Sequence, residues 1–254
     1  MIKRTFLLLP GIGQVKERRL WRSGVLSWDE FERRDRLDGI APARKSAMDR
    51  ELETAIESWE QGRTEYFSRL LPSGQHWRMY DRLKDDTAYL DIETDGLGPG
   101  TVMTMVSVHK GGRTTTLTRG IDLDADKLRM ALDGSKMLVT FNGSSFDLPM
   151  IEKEFPFVLP KVPHYDLRHA CPKVGLRGGL KQVEVLLGYR RPQEVEYVTG
   201  EEAVYLWHLW ERKGSDNALK LLMRYNQEDT KNLEPLAQVV YSRLAEGLDR
   251  ECWG

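Results

Sequence analysis

Two cysteines, Cys171 and Cys252, are all that the 254 residues hold. Neither a disulfide framework nor a zinc quartet can be built from them, and such sparse use suits a reducing compartment. Long apolar runs are missing too. Near the start, Phe6-Leu7-Leu8-Leu9 breaks at Pro10-Gly11 and is followed by Lys16-Glu17-Arg18-Arg19. That run is too short for a secretory core and lacks a small-residue cleavage site. No stretch approaches the roughly 20 apolar residues of a membrane span. The expectation is a soluble, intracellular, cytoplasmic protein with no membrane partner. Net charge is nearly absent: 38 Lys and Arg stand against 39 Asp and Glu, leaving −1. This excludes a histone-like polycation and by itself points to no partner. Repeats and low-complexity tracts are also lacking. Apolar residues, at 40%, suffice for a packed core. The length fits one large domain, or one of about 170 residues with a smaller appendage.

Residues 1–86 read as a helical region. Trp21, Leu26, Trp28 and Phe31 punctuate one segment, and Leu52, Ile56, Trp59, Tyr66 and Phe67 carry helical spacing. The texture changes at Thr87. Residues 88–92 read as a buried strand, and 101–109 and 114–119 alternate around Lys110-Gly111-Gly112, a hairpin signal. Helix is expected over 125–132, strand over 137–141, helix over 145–155 and a short strand over 164–167. From Leu180 the pattern is mostly helical, including 218–244. A strand and a hairpin followed by strands alternating with helices predict an α/β fold. The expected division is a small N-terminal helical region, 1–86, and a mixed β-sheet flanked by helices, 87–254.

Three clusters carry chemistry. In Asp91-Ile92-Glu93, carboxylates at i and i+2 of a strand point to one face. Two acids at the end of an apolar strand are costly unless a cation sits between them. Alone, Asp-x-Glu turns up about once by chance in a chain this long. Asn142-Gly143-Ser144-Ser145-Phe146-Asp147 follows a strand and places Asp147 in the first turn of a helix, at the sheet edge where ligands gather. Ser144 or Ser145 as a helix cap is the competing structural reading. In Tyr225-Asn226-Gln227-Glu228-Asp229, Tyr225 and Asp229 are four apart and share a helix face, while Glu228 is expected in solvent.

In this order, with 56 residues from Asp91 to Asp147 and 82 from Asp147 to Asp229, the clusters resemble the three exonuclease motifs of the DEDD superfamily, which has a ribonuclease H-like fold. Tyr rather than His in the last motif resembles the DEDDy branch, which includes the proofreading domains of many DNA polymerases. Residues 90–97, 142–147, 164–167 and 180–188 look most like the YprB-type ribonuclease H-like proteins, and the resemblance covers about residues 76–240. It implies a 3′–5′ exonuclease in which Asp91, Glu93, Asp147 and Asp229 bind two Mg²⁺ or Mn²⁺ ions. Asp91 would bridge the two, and Tyr225 would orient the attacking water. Its ordinary pKa near 10 makes it a poor general base. Thr94, Gly96 and Leu97 would line the pocket of the terminal nucleotide, and Asn142 and Phe146 would position the strand. Related motifs often have Thr where this chain has Asp95, which is left without a role. His164, His169 and Asp166 invite a metal reading, but two histidines five apart are more often structural.

Leu9-Pro10-Gly11-Ile12-Gly13, followed by Lys16, Arg18 and Arg19, resembles a helix-hairpin-helix element, and YprB-type proteins open similarly. In that motif a Gly-x-Gly turn, here Gly11 and Gly13, brings backbone N–H groups to a DNA phosphate. An ordinary turn with a solvated basic face is the alternative. Residues 1–22 hold six basic side chains against one acid, and 161–191 hold seven against two. Together they carry +10 and leave −11 elsewhere, so the neutral total hides a polarity compatible with nucleic acid. The leading expectation is a two-metal exonuclease with DNA favoured over RNA. A non-catalytic nucleic-acid-binding module and a structure-specific endonuclease remain alternatives, and protein partners are unknown.

Overall fold

The computed structural model describes residues 1–253. Five strands form one sheet: β1 Thr87–Thr94, β2 Met103–Lys110, β3 Arg113–Thr118, β4 Met137–Thr140 and β5 His164–Asp166, in the order β3-β2-β1-β4-β5. The first three pair antiparallel, whereas β4 joins β1, and β5 joins β4, in parallel. The hairpin between β2 and β3 turns at Gly111 and Gly112, with φ of 55° and 73°. A two-residue turn matching the sheet twist needs this left-handed backbone, which side chains disfavour. The parallel pairs need crossovers, and the helices Ala125–Leu132 and Asp147–Glu154 lie within them.

Strand alternation divides β1 between two environments. Ala88, Leu90 and Ile92 pack with Leu128, Leu132 and Ile151 from the crossover helices. Tyr89 points the other way, into a cluster with Leu233 and Leu236 of the C-terminal helix, Asp216–Trp253. Asp91 and Glu93 continue the Tyr89 row, so they emerge on the face that the C-terminal helix crosses.

The N-terminal region contains the helices Gln14–Arg22, Trp28–Glu32, Pro42–Glu60 and Thr64–Leu70. Its buried Phe6, Trp28, Phe31 and Phe67 belong to the same cluster as Tyr89, Val139 and Tyr165 of the sheet. A buried ion pair, Glu17–Arg78 at 3.0 Å, ties the first helix to the segment Ser73–Met79. Glu17 also accepts hydrogen bonds from the Thr5 hydroxyl (2.6 Å) and the Phe6 N–H (2.8 Å).

Two local expectations change. Before Pro10 stands a three-residue 3-10 turn, Ile2–Arg4, so one helix of the hairpin resemblance is present and the other is not. All four side chains of residues 6–9 are buried, a pattern that a one-faced amphipathic helix cannot produce. The helix over 145–155 begins at Asp147, with Phe146 at its N-cap and no side-chain cap bond. Neither Ser144 nor Ser145 caps it.

Candidate active site

Asp91 and Glu93 project from the carboxyl end of β1, and Asp229 comes from the C-terminal helix. One oxygen of each lies within 4.8 Å of the others. A bulge between Glu93 and Thr94, where β1 slips one residue against β2, re-aims the strand beside the group. Asn226 is fully buried, and its Nδ2 donates to Asp91 Oδ2 at 2.7 Å, orienting that carboxylate. Asp147 heads its helix and is buried, with Oδ1 accepting the Ile92 N–H at 3.2 Å. It flanks the three-carboxylate group without belonging to it.

Burial raises the proton affinity of all four acids, and for Asp91 and Glu93 the neighbouring acids add to it. Removal from water, then the charges of Asp147, Asp229 and Glu93, hold Asp91 well above the usual carboxylate range. Burial followed by Asp229 and Asp147 does the same for Glu93. Burial raises Asp147 to about 7. Burial also raises Asp229, to about 6, against the opposing charge of Arg191. A nest of like charges with this cost is one that a cation would relieve.

Arg191 pairs with Asp229 and also with Glu184, the latter at 2.6 Å. Its guanidinium carbon lies 5.8 Å from the centre of the Tyr225 ring, and Lys181 Nζ lies 4.7 Å from it. Burial, then Asp229, Glu93 and Asp91, push the Tyr225 phenol above its ordinary value, so it keeps its proton at neutral pH.

The loop bearing Asp147 is held from β5. Asp166 accepts the backbone N–H groups of Asn142 (2.8 Å) and Ser144 (3.0 Å), and the Ser144 hydroxyl at 2.5 Å. Asn142 sits at a φ of 73°, a strained position that these bonds secure. Gly143 is required, because a Cβ there would come within 2.3 Å of Thr140 Oγ1. His164 shares a hydrogen bond with that same Oγ1 at 2.8 Å, and burial lowers its pKa to about 4. His169 approaches Asp166 only to 3.9 Å. Among the described residues these groups form no metal-binding cluster; Asp166 and His164 brace the loop.

At the mouth, the Thr94 hydroxyl donates to the Gly96 carbonyl at 2.7 Å, and Leu97 is 87% exposed. A Cβ at Gly96 would meet only Thr101 Oγ1, at 3.9 Å. Asp95 closes the loop by accepting the Val102 N–H at 2.8 Å. Phe146 packs against the core cluster on the crossover-helix face.

The chain matches the RNase H superfamily over residues 88–241, more than half of its length. It belongs to the RNase H superfamily. The RNase H-like fold is the mixed five-stranded sheet with flanking helices described above. Among solved structures, the chain is similar to the family B DNA polymerase from the hyperthermophilic archaeon Pyrobaculum calidifontis (16% identity, TM-score 0.48), covering 61% of this chain and 24% of that one. It thus spans about a quarter of the polymerase's length. It is also similar to the Aedes aegypti Nibbler EXO domain (15% identity, TM-score 0.36), covering 68% of this chain and 85% of that one. No curated protein matches it.

Three residues of the candidate site in this RNase H-superfamily chain escaped the sequence reading: Asn226, Lys181 and Arg191. Asn226 was visible only as a neighbour of Tyr225. Lys181 and Arg191 stood in the basic stretch 161–191, but nothing local put them at Tyr225. Glu228, expected in solvent, is 7% exposed and lies 3.6 Å from Arg224, because the C-terminal helix is covered on more than one side. At the N-terminus, Lys16 Nζ donates to the Gly11 carbonyl at 3.1 Å, Arg18 pairs with Glu251 at 2.9 Å, and Arg19 is exposed. Gly13 caps the helix Gln14–Arg22 in extended conformation. Among the described residues, no helix is long and apolar enough to cross a membrane.

Proposed function

We propose that this chain is a metal-dependent nuclease that removes nucleotides from the 3′ end of a single strand, with DNA favoured over RNA. The convergence of Asp91, Glu93 and Asp229 within 4.8 Å carries the reading. The donor set is all oxygen, which suits hard divalent cations, two Mg²⁺ or Mn²⁺. Such a pair would supply the Lewis acidity that activates a water and stabilises the leaving 3′ oxygen.

Asp91, Glu93 and Asp229 would hold the ions, with Asp147 completing the set beside them. Asn226 keeps Asp91 turned toward the group, and Arg191 does the same for Asp229. Tyr225, protonated at neutral pH, orients the attacking water and does not take its proton. Lys181, next to the Tyr225 ring, offers a positive charge to the scissile phosphate. Thr94, Gly96 and Leu97 take the terminal nucleotide, and Asn142 and Phe146 position the strand behind it. Gly11, Gly13, Lys16, Arg18 and Arg19 contact backbone phosphates farther away, and the preference for DNA rests on that segment. The subtype that fits best is the DEDDy, YprB-type exonuclease, with residues 87–254 as its nuclease domain and 1–86 as an accessory region.

The test uses end-labelled DNA and RNA single strands, each blocked in turn at its 3′ end, with Mg²⁺ or Mn²⁺. Stepwise shortening from free 3′ ends by the wild type, and none by Asp91→Ala, is expected. Equal activity in both proteins, or loss from the 5′ end, overturns the reading. Cutting of a circular single strand would make the enzyme an endonuclease, and salt-sensitive binding without product would make it a binding module.

A further inference from the structure

A cavity of about 570 Å³ lies between the helix Gln14–Arg22, the segment Ser73–Met79 and the last turns of the C-terminal helix. Five cations line it, Arg18, Arg78, Lys173, Arg243 and Arg250, against three carboxylates. Two of those carboxylates are already engaged, Glu17 by Arg78 and Glu251 by Arg18. Arg243 and Arg250 are exposed and form no ion pair among the described residues. Lys173 and Trp77 also line a second cavity, of about 160 Å³, whose wall includes Ser144 and Asp166. The two cavities thus share the wall made by Trp77 and Lys173, and the second reaches the loop that carries Asp147. Arg18 belongs to the basic stretch 1–22 and Lys173 to the basic stretch 161–191, so folding brings both stretches to one groove.

From this convergence we infer that the groove holds the phosphate backbone of a single-stranded nucleic acid upstream of the end held at Asp91, Glu93 and Asp229. The inference rests on the nuclease reading for the identity of that end. Excess positive charge in a concave path binds polyanions by releasing their counterions, with little regard to base sequence. The buried Glu17–Arg78 pair keeps the groove's floor in place, and the exposed Arg243 and Arg250 are free to meet phosphates.

The double variant Arg243→Glu/Arg250→Glu tests this against a charge-matched control, Arg50→Glu/Arg69→Glu, whose residues are exposed elsewhere. Binding of a labelled oligonucleotide of about 20 nucleotides is measured in EDTA across a salt series, and hydrolysis of a dinucleotide is measured with Mn²⁺. The groove variant is expected to bind the long strand about tenfold or more weakly at about 0.1 M salt. Its log–log salt slope should fall by about 1.4, from two lost single-strand contacts. The control should bind as the wild type does, and dinucleotide hydrolysis should be unchanged in all three proteins. Unchanged affinity and slope in a folded groove variant overturn the inference, as does an equal loss in the control. If the wild type shortens neither the dinucleotide nor the labelled strand of about 20 nucleotides with Mn²⁺, the nuclease reading fails and the EDTA binding series still judges the groove.

Discussion

Replacing Asp147 with Asn should stabilise the metal-free protein while destroying its activity. Asp147 is 4% exposed, its Oδ1 accepts the Ile92 N–H at 3.2 Å, and burial raises its carboxyl from 3.8 to about 7. A rise of about three pH units corresponds to about 4 kcal/mol carried by the ionised form above pH 7. Water entry would relieve part of this, so a gain of about 2–4 kcal/mol is expected at pH 8. Asparagine keeps the acceptor for Ile92 and removes the charge. The sign follows from proton binding. Between about pH 4 and 7 the folded wild type keeps a proton on Asp147 that the unfolded chain releases, so its stability falls as pH rises through that window. The variant does not titrate there, and its advantage should vanish by about pH 4. Urea unfolding in EDTA from pH 4 to 8 measures both curves, and nuclease activity with Mn²⁺ should fall at least about 100-fold. A variant less stable than the wild type at pH 8, or a gain independent of pH, would refute the electrostatic reasoning.

The same crowding predicts that Mn²⁺ or Mg²⁺ raises the thermal midpoint little near pH 5 and progressively more toward pH 8. On the proposed reading, protons and cations would compete for Asp91, Glu93 and Asp229, whose proton affinities are all raised; a pH-independent gain in differential scanning fluorimetry would count against a shared site. If the protonated phenol positions water and binds no ion, as proposed, Tyr225→Phe should lower kcat about 10- to 100-fold and leave metal affinity by titration calorimetry unchanged. Glu17→Gln leaves the Arg78 guanidinium buried beside a neutral partner. Chemical unfolding should record a loss of about 3–5 kcal/mol, and a loss under 1 kcal/mol would mean that water reaches Arg78.

Local patterning made the sheet legible. The alternation around Lys110-Gly111-Gly112 produced the β2–β3 hairpin because only glycine takes both turn positions cheaply. The apolar stretch at 137–141 became β4, Met137–Thr140, buried on both faces as a central parallel strand must be. The three carboxylate clusters were legible as spacings on a strand, after a strand and along a helix. The loop at Asn142 was less so. Its left-handed residue and its ties to Asp166 depend on a strand 22 residues downstream, and the serine cap that stood as the competing structural reading is absent, with Ser144 bonded to Asp166.

What the sequence determined by itself was the set of acids, the faces they occupy and the order of strands and helices, because those follow from periods of two and 3.6. The tertiary structure alone decided which acids meet: Asp91, Glu93 and Asp229 come together, with Asp147 bonded to the Ile92 backbone at their side. It also decided that Arg191 and Lys181 face Tyr225, and that two separate basic stretches end in one groove. Those outcomes depend on how the C-terminal helix crosses the sheet. Distances between groups so far apart along the chain are set by the packing of whole elements, to which no local residue pattern is sensitive.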